Sequence, residues 1–302
     1  MWLLLACLST LFIGISTILS KVGIKDADAY VTGAVTNTVL LAAFAGTAAF
    51  TGVFSQTDDM GWQSWLSVAA SGIVLSISWL FYFLGLKGGG ISVFLAIQSL
   101  TIIVSMVLCR VFIKEKITPW MLVGTVLIIV GTLLMMDRKE LHALRDKNIL
   151  HSDQRWILFS ALSALCASIS YVIVKADTTP IDTNVTSAFR YILVVVFLWG
   201  VVLFKGKFSH RANISLKEAV EEISSKTWAF ILLGAAASGA GHVLVYKALF
   251  LGKAAVVMTI YRMGMVVSIV LSRFFLHEKL SRRGWSGLGL LILGVILFAI
   301  GR

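Results

Sequence analysis

The sequence has few charged residues and almost no proline. Charged residues make up 14% of the 302 positions and there are two prolines, whereas an ordinary soluble domain is about 25% charged. Hydrophobic residues make up 58%, and the mean hydropathy is +0.92. A soluble core cannot absorb so many apolar side chains. The composition therefore excludes an ordinary soluble protein and indicates a membrane protein.

Cysteine is also scarce. Cys7, Cys109 and Cys166 lie in apolar stretches, and none belongs to a CxxC or Cys/His pattern. This spacing favours buried thiols and predicts neither a disulfide nor a metal site. The net charge of +11 is carried by short segments between apolar runs, where basic residues set the orientation in a bilayer. We therefore expect no nucleic acid partner, and nothing in the sequence calls for a cofactor.

Ten apolar runs approach or exceed the length of about 20 residues that a helix needs to cross a bilayer. They are 2–20, 31–53, 62–86, 91–113, 118–136, 156–176, 184–204, 227–250, 254–276 and 283–300. The long hydrophilic segments are 137–155 and 205–226, so no soluble domain remains to house an aqueous active site. The sequence predicts an all-α membrane protein with ten transmembrane helices, and not an enzyme.

The two halves of the chain repeat each other. CRVFIKEKITP at 109–119 returns 163 positions later as SRFFLHEKLSR at 272–282, and an offset of 154 joins VTGA (31–34) to VTSA (185–188). Because each half holds an odd number of spans, the second half must enter the bilayer from the opposite side. The prediction is two inverted five-helix repeats, 1–137 and 156–302, joined by a basic loop at 138–155.

Glu-Lys pairs precede the last span of each half, at Glu115-Lys116 and Glu278-Lys279, and each following span carries two glycines seven residues apart. With the joints LKGGGIS (86–92) and LGKAAVV (251–257), this pattern resembles the drug/metabolite transporter superfamily, specifically its ten-span EamA-type members. The resemblance implies a transporter of small metabolites with a central cavity between spans 1–4 and 6–9. It also implies that spans 5 and 10 lie at the periphery.

Lysine and arginine are unevenly distributed between the loops. The loops after spans 1, 3, 5, 7 and 9 hold most of them, so the positive-inside rule predicts that both termini face outward. We expect a multi-pass protein of the bacterial inner membrane, with a small-molecule substrate and the lipid bilayer as its partners. The oligomeric state is open between monomer and homodimer.

Two arginines lie well inside predicted spans. Arg190 and Arg262 lie roughly 9 and 12 Å from the same face, at about 1.5 Å per residue. No Asp or Glu lies deep in a span, and a charge near the bilayer centre costs about 2.5–3.5 kcal/mol. A water-filled cavity that receives an anion would offset this cost, whereas a structural arginine would bond to helix-end carbonyls or extend to the interface.

His242 lies at the same level as the two arginines and is the side chain there that titrates near neutral pH. The repeat places Thr36 opposite Arg190, Trp79 opposite His242 and Ser99 opposite Arg262, each one roughly equally deep. For His242 and Trp79, ordinary packing remains an open alternative. The candidate substrate-binding residues are Arg190, Arg262, His242, Trp79, Tyr261, Gln98, Ser99 and Asn37.

Three classes of function compete. The leading hypothesis is a secondary transporter, an exporter or exchanger, that moves a small polar metabolite, anionic or zwitterionic, by alternating access. The alternative is a lipid-linked substrate flippase or a non-transporting membrane partner subunit. An intramembrane hydrolase is the weakest hypothesis: SGAGH (238–242) sets Ser238 one helical turn from His242, but no oxyanion hole is indicated.

Two further residue types carry structural expectations. Lys21 and Lys175 lie near span ends and are predicted to anchor their helices at the lipid headgroups. The glycines of spans 5 and 10 lie on one face of each helix and predict a close helix contact, within the chain or between two copies.

Overall fold

The described residues form ten α-helices, arranged as two inverted repeats of five. The computed structural model describes residues 1–114, 116–136, 153–176, 182–208, 223–251, 257, 260–261, 263–277 and 280–300. The helices are α1 Trp2–Lys25, α2 Ala29–Phe50, α3 Trp62–Gly88, α4 Ile91–Leu108, α5 Pro119–Met135, α6 Arg155–Ala176, α7 Thr183–Phe208, α8 Ser225–Leu251, α9 Gly264–Phe275 and α10 Arg282–Ile300.

The helices have the length and composition of membrane spans. Within the described ranges, seven of them (α1–α4 and α6–α8) are long and apolar enough to cross a bilayer, and α5 and α9 are shorter apolar helices. Large apolar side chains such as Leu4, Leu122 and Val126 are exposed, as a surface that faces lipid requires. The protein is therefore an integral, multi-pass membrane protein.

The repeated Glu-Lys junction follows a helix end. The fourth span was predicted to run to residue 113, and the structure confirms it: α4 ends at Leu108, and a π-helical turn at Cys109–Ile113 continues the span. Lys114 then adopts a left-handed backbone (φ 59°), and His277, 163 positions later, does the same (φ 54°). A left-handed residue is a common way to end a helix. Glu115, Glu278 and Lys279 lie outside the described residues.

The ninth span differs from its prediction as a single helix over 254–276. Helix α9 begins at Gly264, after a turn in which the Met263 N–H donates to the Ile260 carbonyl (3.0 Å). Thr10 of α1 donates its hydroxyl to the same carbonyl oxygen (2.7 Å). A side chain inserted at a helix carbonyl bends or interrupts that helix, so the span is interrupted between Tyr261, which is helical, and Gly264, with Met263 on a turn.

The repeat determines which helices pack together. Helix α1 packs on α8 and α9, and α6, its equivalent, packs on α3 and α4. Where α1 meets α8, the Ser9 hydroxyl donates to the Gly241 carbonyl (2.8 Å). At the equivalent crossing, Ser78 donates to the Ser163 carbonyl (2.9 Å). The same approach of two backbones is thus formed twice, once from each side of the membrane.

Helices α5 and α10 pack chiefly against each other. A β-carbon added at Gly124 would lie 2.6 Å from the Gly294 carbonyl oxygen, and one at Gly131 would lie 2.7 Å from that of Gly287. The glycine faces predicted from the sequence therefore meet within one chain, and only residues without a side chain permit this distance.

The position of Lys21 corrects the expectation that it reaches the headgroups. Its side chain is 6% exposed, and its ammonium group donates to the carbonyl oxygens of Leu86, Lys87 and Gly89 at the end of α3. The last carbonyls of a helix lack partners within the helix and carry its negative dipole end. A buried cation is stabilised there, so Lys21 joins α1 to the turn between α3 and α4.

Candidate substrate site

Asn37, Trp79 and Gln98 lie at one level of the membrane. Helix α2 begins, α3 ends and α4 begins at the same face. Counted from those ends at about 1.5 Å per residue, the three residues are roughly 10–14 Å deep. The fold therefore aligns these candidates in one layer, which we call the first layer; it also contains Thr36.

Four buried polar atoms of the first layer have no hydrogen-bond partner among the described residues. They are Thr36 Oγ1, Asn37 Oδ1, Trp79 Nε1 and Gln98 Nε2. Thr36 and Asn37 are 2% and 0% exposed. A buried polar group without a partner costs about 1–3 kcal/mol, and folded proteins keep few of them. Such a concentration at one depth is typical of a site whose hydrogen bonds are completed by a ligand.

The hydrogen-bonding roles of two of these groups follow from their chemistry. The Asn37 amide donates from Nδ2 to the Gly33 carbonyl oxygen (2.8 Å). Because a carbonyl oxygen can only accept, the orientation of the amide is fixed and Oδ1 remains as an acceptor. The Trp79 indole N–H can only donate. The first layer thus offers an acceptor on α2 and a donor on α3.

Aromatic rings connect the first layer to the second repeat. The ring centroids of Trp79 and Tyr191 are 6.5 Å apart, those of Tyr191 and Phe44 5.1 Å, and those of Phe44 and His242 6.2 Å. The structure therefore brings His242 and Trp79, the repeat-related candidates, into one continuous aromatic cluster, which extends beyond them to Tyr261 and Phe83. Sequence reasoning missed Phe44, because its counterpart Leu198 is apolar and nothing in the pattern separates it from ordinary core.

His242 is held by two hydrogen bonds. Its Nδ1 lies 2.8 Å from the Ser238 carbonyl oxygen, and its Nε2 lies 3.3 Å from the Tyr261 hydroxyl. The Ser238 hydroxyl is more distant from Nδ1, at 3.5 Å. Since Nδ1 must donate to the carbonyl, it cannot also accept a proton from Ser238. The geometry needed for a serine hydrolase is therefore not formed by this pair.

Arg190 lies where α7 contacts α3 and α6. Its guanidinium donates to the Ser170 hydroxyl (2.7 Å), which donates in turn to the Ser71 carbonyl (2.8 Å). A β-carbon at Gly72 would lie 3.4 Å from the Arg190 Cα, so that glycine lets α7 approach closely. The position of the arginine is set by this three-helix contact.

The remaining candidates differ in what the structure shows of them. Ser99 is buried and donates its hydroxyl to the Ala96 carbonyl of its own helix (2.6 Å). Arg262 lies outside the described residues. Within the described part of the chain, no group of three or more His, Cys, Asp or Glu side chains could hold a metal ion.

Comparison with known proteins agrees with this architecture. The sequence matches the EamA-like transporter family over residues 1–137 and 154–300. The chain belongs to this family. The protein is therefore a membrane transporter, and the two matched segments correspond to the two halves that repeat each other in the sequence.

Two curated relatives and one solved structure show how far the likeness extends. An uncharacterized transporter in the cobO 3' region of a Sinorhizobium species is 28% identical over 147 residues, which are 49% of this chain and 98% of the relative. An uncharacterized protein of Methanocaldococcus jannaschii is 33% identical over 107 residues, 35% of this chain and 74% of the relative. A crystal structure, described only as that of a protein, has a TM-score of 0.63 at 14% identity and covers 97% of this chain and 94% of its own. It supports the fold alone.

Proposed function

We propose that this transporter moves a small polar metabolite, anionic or zwitterionic, by alternating access. The observation that carries the proposal is the set of buried polar atoms in the first layer that have no partner among the described residues. Asn37 would accept from an ammonium or hydroxyl group of the substrate, and Trp79 and Gln98 would donate to its oxygen atoms. The ring of Tyr191, beside Trp79, would cover the organic part.

Arg190 and Arg262 would supply the positive charge for a carboxylate or phosphate of the substrate. A guanidinium suits this task because its planar fork can bind an oxyanion through two N–H groups. Arg190 bonds to Ser170, so in this proposal Ser170 holds the guanidinium in place for the substrate. His242 and Tyr261 would form the opposite wall of the site.

Alternating access would follow from the inverted repeat. The first layer is measured from one membrane face, and His242 lies roughly 13 Å from the opposite face at about 1.5 Å per residue. Reciprocal packing of α1 on α8 and of α6 on α3 allows the two halves to exchange conformations, as inverted-repeat transporters do around a midplane site.

The test is a thermal-shift screen of the full chain in detergent against L-lactate, L-malate, glycerol 3-phosphate, L-serine and choline. A compound that binds the folded protein raises its melting temperature by mass action. We expect an anion or zwitterion to stabilise the wild type, and Asn37→Ala and Gln98→Ala to abolish the shift. Thr47→Ala, farther along α2 than Asn37, is the control, because its hydroxyl bonds to the Ala43 carbonyl of its own helix.

Arg190 needs a separate pair of variants. Arg190→Ala should abolish stabilisation by an anion, whereas Ser170→Ala removes only a partner of the guanidinium and should retain part of it. Compounds that bind by this screen are then tested for flux into proteoliposomes. Stabilisation by choline alone, unaffected by any of these substitutions, would refute an anionic or zwitterionic substrate.

We further propose that the protein resides in the bacterial inner membrane with both termini outward, as the distribution of basic residues favours. Reporter fusions at the C-terminus test this orientation. A reporter active only in the periplasm should be active, and one active only in the cytoplasm should be silent. The reverse result would place the basic loops outside.

A further inference from the structure

The hydrogen bonds of His242 determine which ring nitrogen gains and loses a proton. Nδ1 lies 2.8 Å from the Ser238 carbonyl oxygen, and a carbonyl can only accept. Nδ1 therefore carries a hydrogen whether the ring is neutral or charged. The proton that comes and goes is on Nε2, which lies 3.3 Å from the Tyr261 hydroxyl.

Protonation of Nε2 reverses the hydrogen bond to Tyr261. When the ring is neutral, Nε2 accepts and the Tyr261 O–H donates to it. When Nε2 carries a proton it donates, so the tyrosine oxygen accepts and its own O–H must turn to another acceptor. One bound proton thus changes Tyr261 from a group that donates to histidine into a group that can donate to an oxygen atom of the substrate.

Other titratable or charged groups lie on the helices around His242. Helix α8 packs against α1, α2 and α7. From α1, Ser9 and Ile13 contact Gly241, and Cys7 is exposed. The other titratable or charged groups on these helices are Lys21 and Lys25 on α1, Tyr30 on α2, Arg190 and Tyr191 on α7, and Lys226 and the exposed Lys247 on α8; the side chains of Lys205, Lys207 and Tyr246 lie outside the described residues.

Of these types of side chain, only histidine has an unperturbed pKa between 5 and 8. A thiol titrates in that range only when its surroundings shift its pKa. Phe44 packs edge-on against the ring, with centroids 6.2 Å apart. Tyr261 belongs to an apolar cluster with Trp2, Leu5 and Ala6 of α1. Arg262 follows Tyr261 in the sequence and lies outside the described residues.

We propose that His242 and Tyr261 form a proton-binding site that couples protonation to substrate binding. The inference rests on the proposed function, because it assigns the coupling ion to the same transporter. Since the protonated state presents the Tyr261 O–H to an acceptor, it favours an anionic group, and linkage requires that the substrate favour protonation equally. Proton and anion would therefore bind to the same state and be carried together.

The first test needs no substrate. The full chain is labelled with ¹⁵N-histidine and its imidazole signals are followed by NMR in detergent from pH 5 to 8, with His242→Gln identifying the signals of His242. We expect a neutral form protonated at Nδ1 that gains its second proton at Nε2 as the pH falls. A ring that stays in one state throughout, or a neutral form protonated at Nε2, would overturn the proposal.

The second test measures coupling with L-lactate and L-malate, which stay ionised between pH 6 and 8. For whichever of them stabilises the protein, apparent affinity should rise about threefold to tenfold from pH 8 to pH 6, the effect of one gained hydrogen bond. Tyr261→Phe should lose this rise and bind with the same affinity at both pH values. Tyr171→Phe, on the exposed side of α6, should keep it.

The outcomes separate the two proposals. If neither carboxylate, nor any other anion or zwitterion of the screen, binds the wild type, the proposed function fails whatever the NMR titration shows. If one binds with the same affinity at both pH values, or if Tyr261→Phe keeps the pH dependence, the substrate site stands and the proton site is refuted.

Discussion

Gly124 of α5 faces Gly294 of α10 so closely that a β-carbon on either residue would lie 2.6 or 2.7 Å from the carbonyl oxygen of the other. Gly131 and Gly287 form the same contact seven residues away along the antiparallel pair of helices. Because the contacts are with backbone atoms, no rotation of a side chain can relieve them. The glycines are therefore required by the packing of α5 against α10, which joins the ends of the two repeats.

Alanine at Gly124 or Gly294 should destabilise the protein. The added β-carbon must push the two helices apart, and overpacking of this kind costs about 1–3 kcal/mol of the free energy of unfolding. Thermal unfolding in detergent measures the change. Gly289→Ala is the matched control in α10, because nothing lies within 4 Å of its β-carbon position, and it should be neutral or stabilising by about 0.5–1 kcal/mol. If alanine at Gly124 or Gly294 changed the stability no more than alanine at Gly289, the close contact would be contradicted.

Replacing Lys21 by methionine should lower stability while keeping the length of the side chain. The variant loses a buried cation that donates to three carbonyls at the end of α3, and these acceptors are left without their partner. We expect a loss of about 2–4 kcal/mol. Lys25→Met removes an exposed lysine from the same helix and should change stability by less than about 0.5 kcal/mol. If the two variants have the same melting temperature, Lys21 does not stabilise the turn between α3 and α4.

Glycine at Lys114 or His277 should stabilise the repeated junctions. Both residues have left-handed backbones, which cost a residue with a side chain about 1–2 kcal/mol and cost glycine nothing. Lys116→Gly removes the same charge from an exposed position whose φ is not left-handed, and it should be neutral or destabilising. A higher melting temperature for Lys114→Gly than for Lys116→Gly, measured in one detergent, is the expected result; the opposite order would refute the strain.

Much of the fold could be predicted because it depends on quantities that a sequence contains directly. The length of each apolar run fixes how many helices cross the membrane, and the repeat with an odd number of spans fixes their inverted relation. Helix α9 differs from its predicted span because the point where it begins depends on a neighbouring helix. The Thr10 hydroxyl bonds to the Ile260 carbonyl, a contact between residues distant in the sequence.

The candidate site was predictable in depth but not in contacts. The rise per residue alone is enough to place Asn37, Trp79 and Gln98 in one layer. The sequence did not reveal that the Asn37 amide is oriented by Gly33, or that Phe44 links Tyr191 to His242. These relations depend on the rotation of each helix about its axis, which the helices around it determine.

The sequence by itself determined the class of the protein, its ten helices, its inverted halves and the level at which polar side chains enter the membrane. Tertiary structure decided the partners: Lys21 turns to the end of α3 and not to the headgroups, Arg190 bonds to Ser170, and the glycines of α5 meet those of α10. The physical reason is that depth follows from counting along one helix, whereas a hydrogen bond needs two helices to be positioned within about 3 Å of each other.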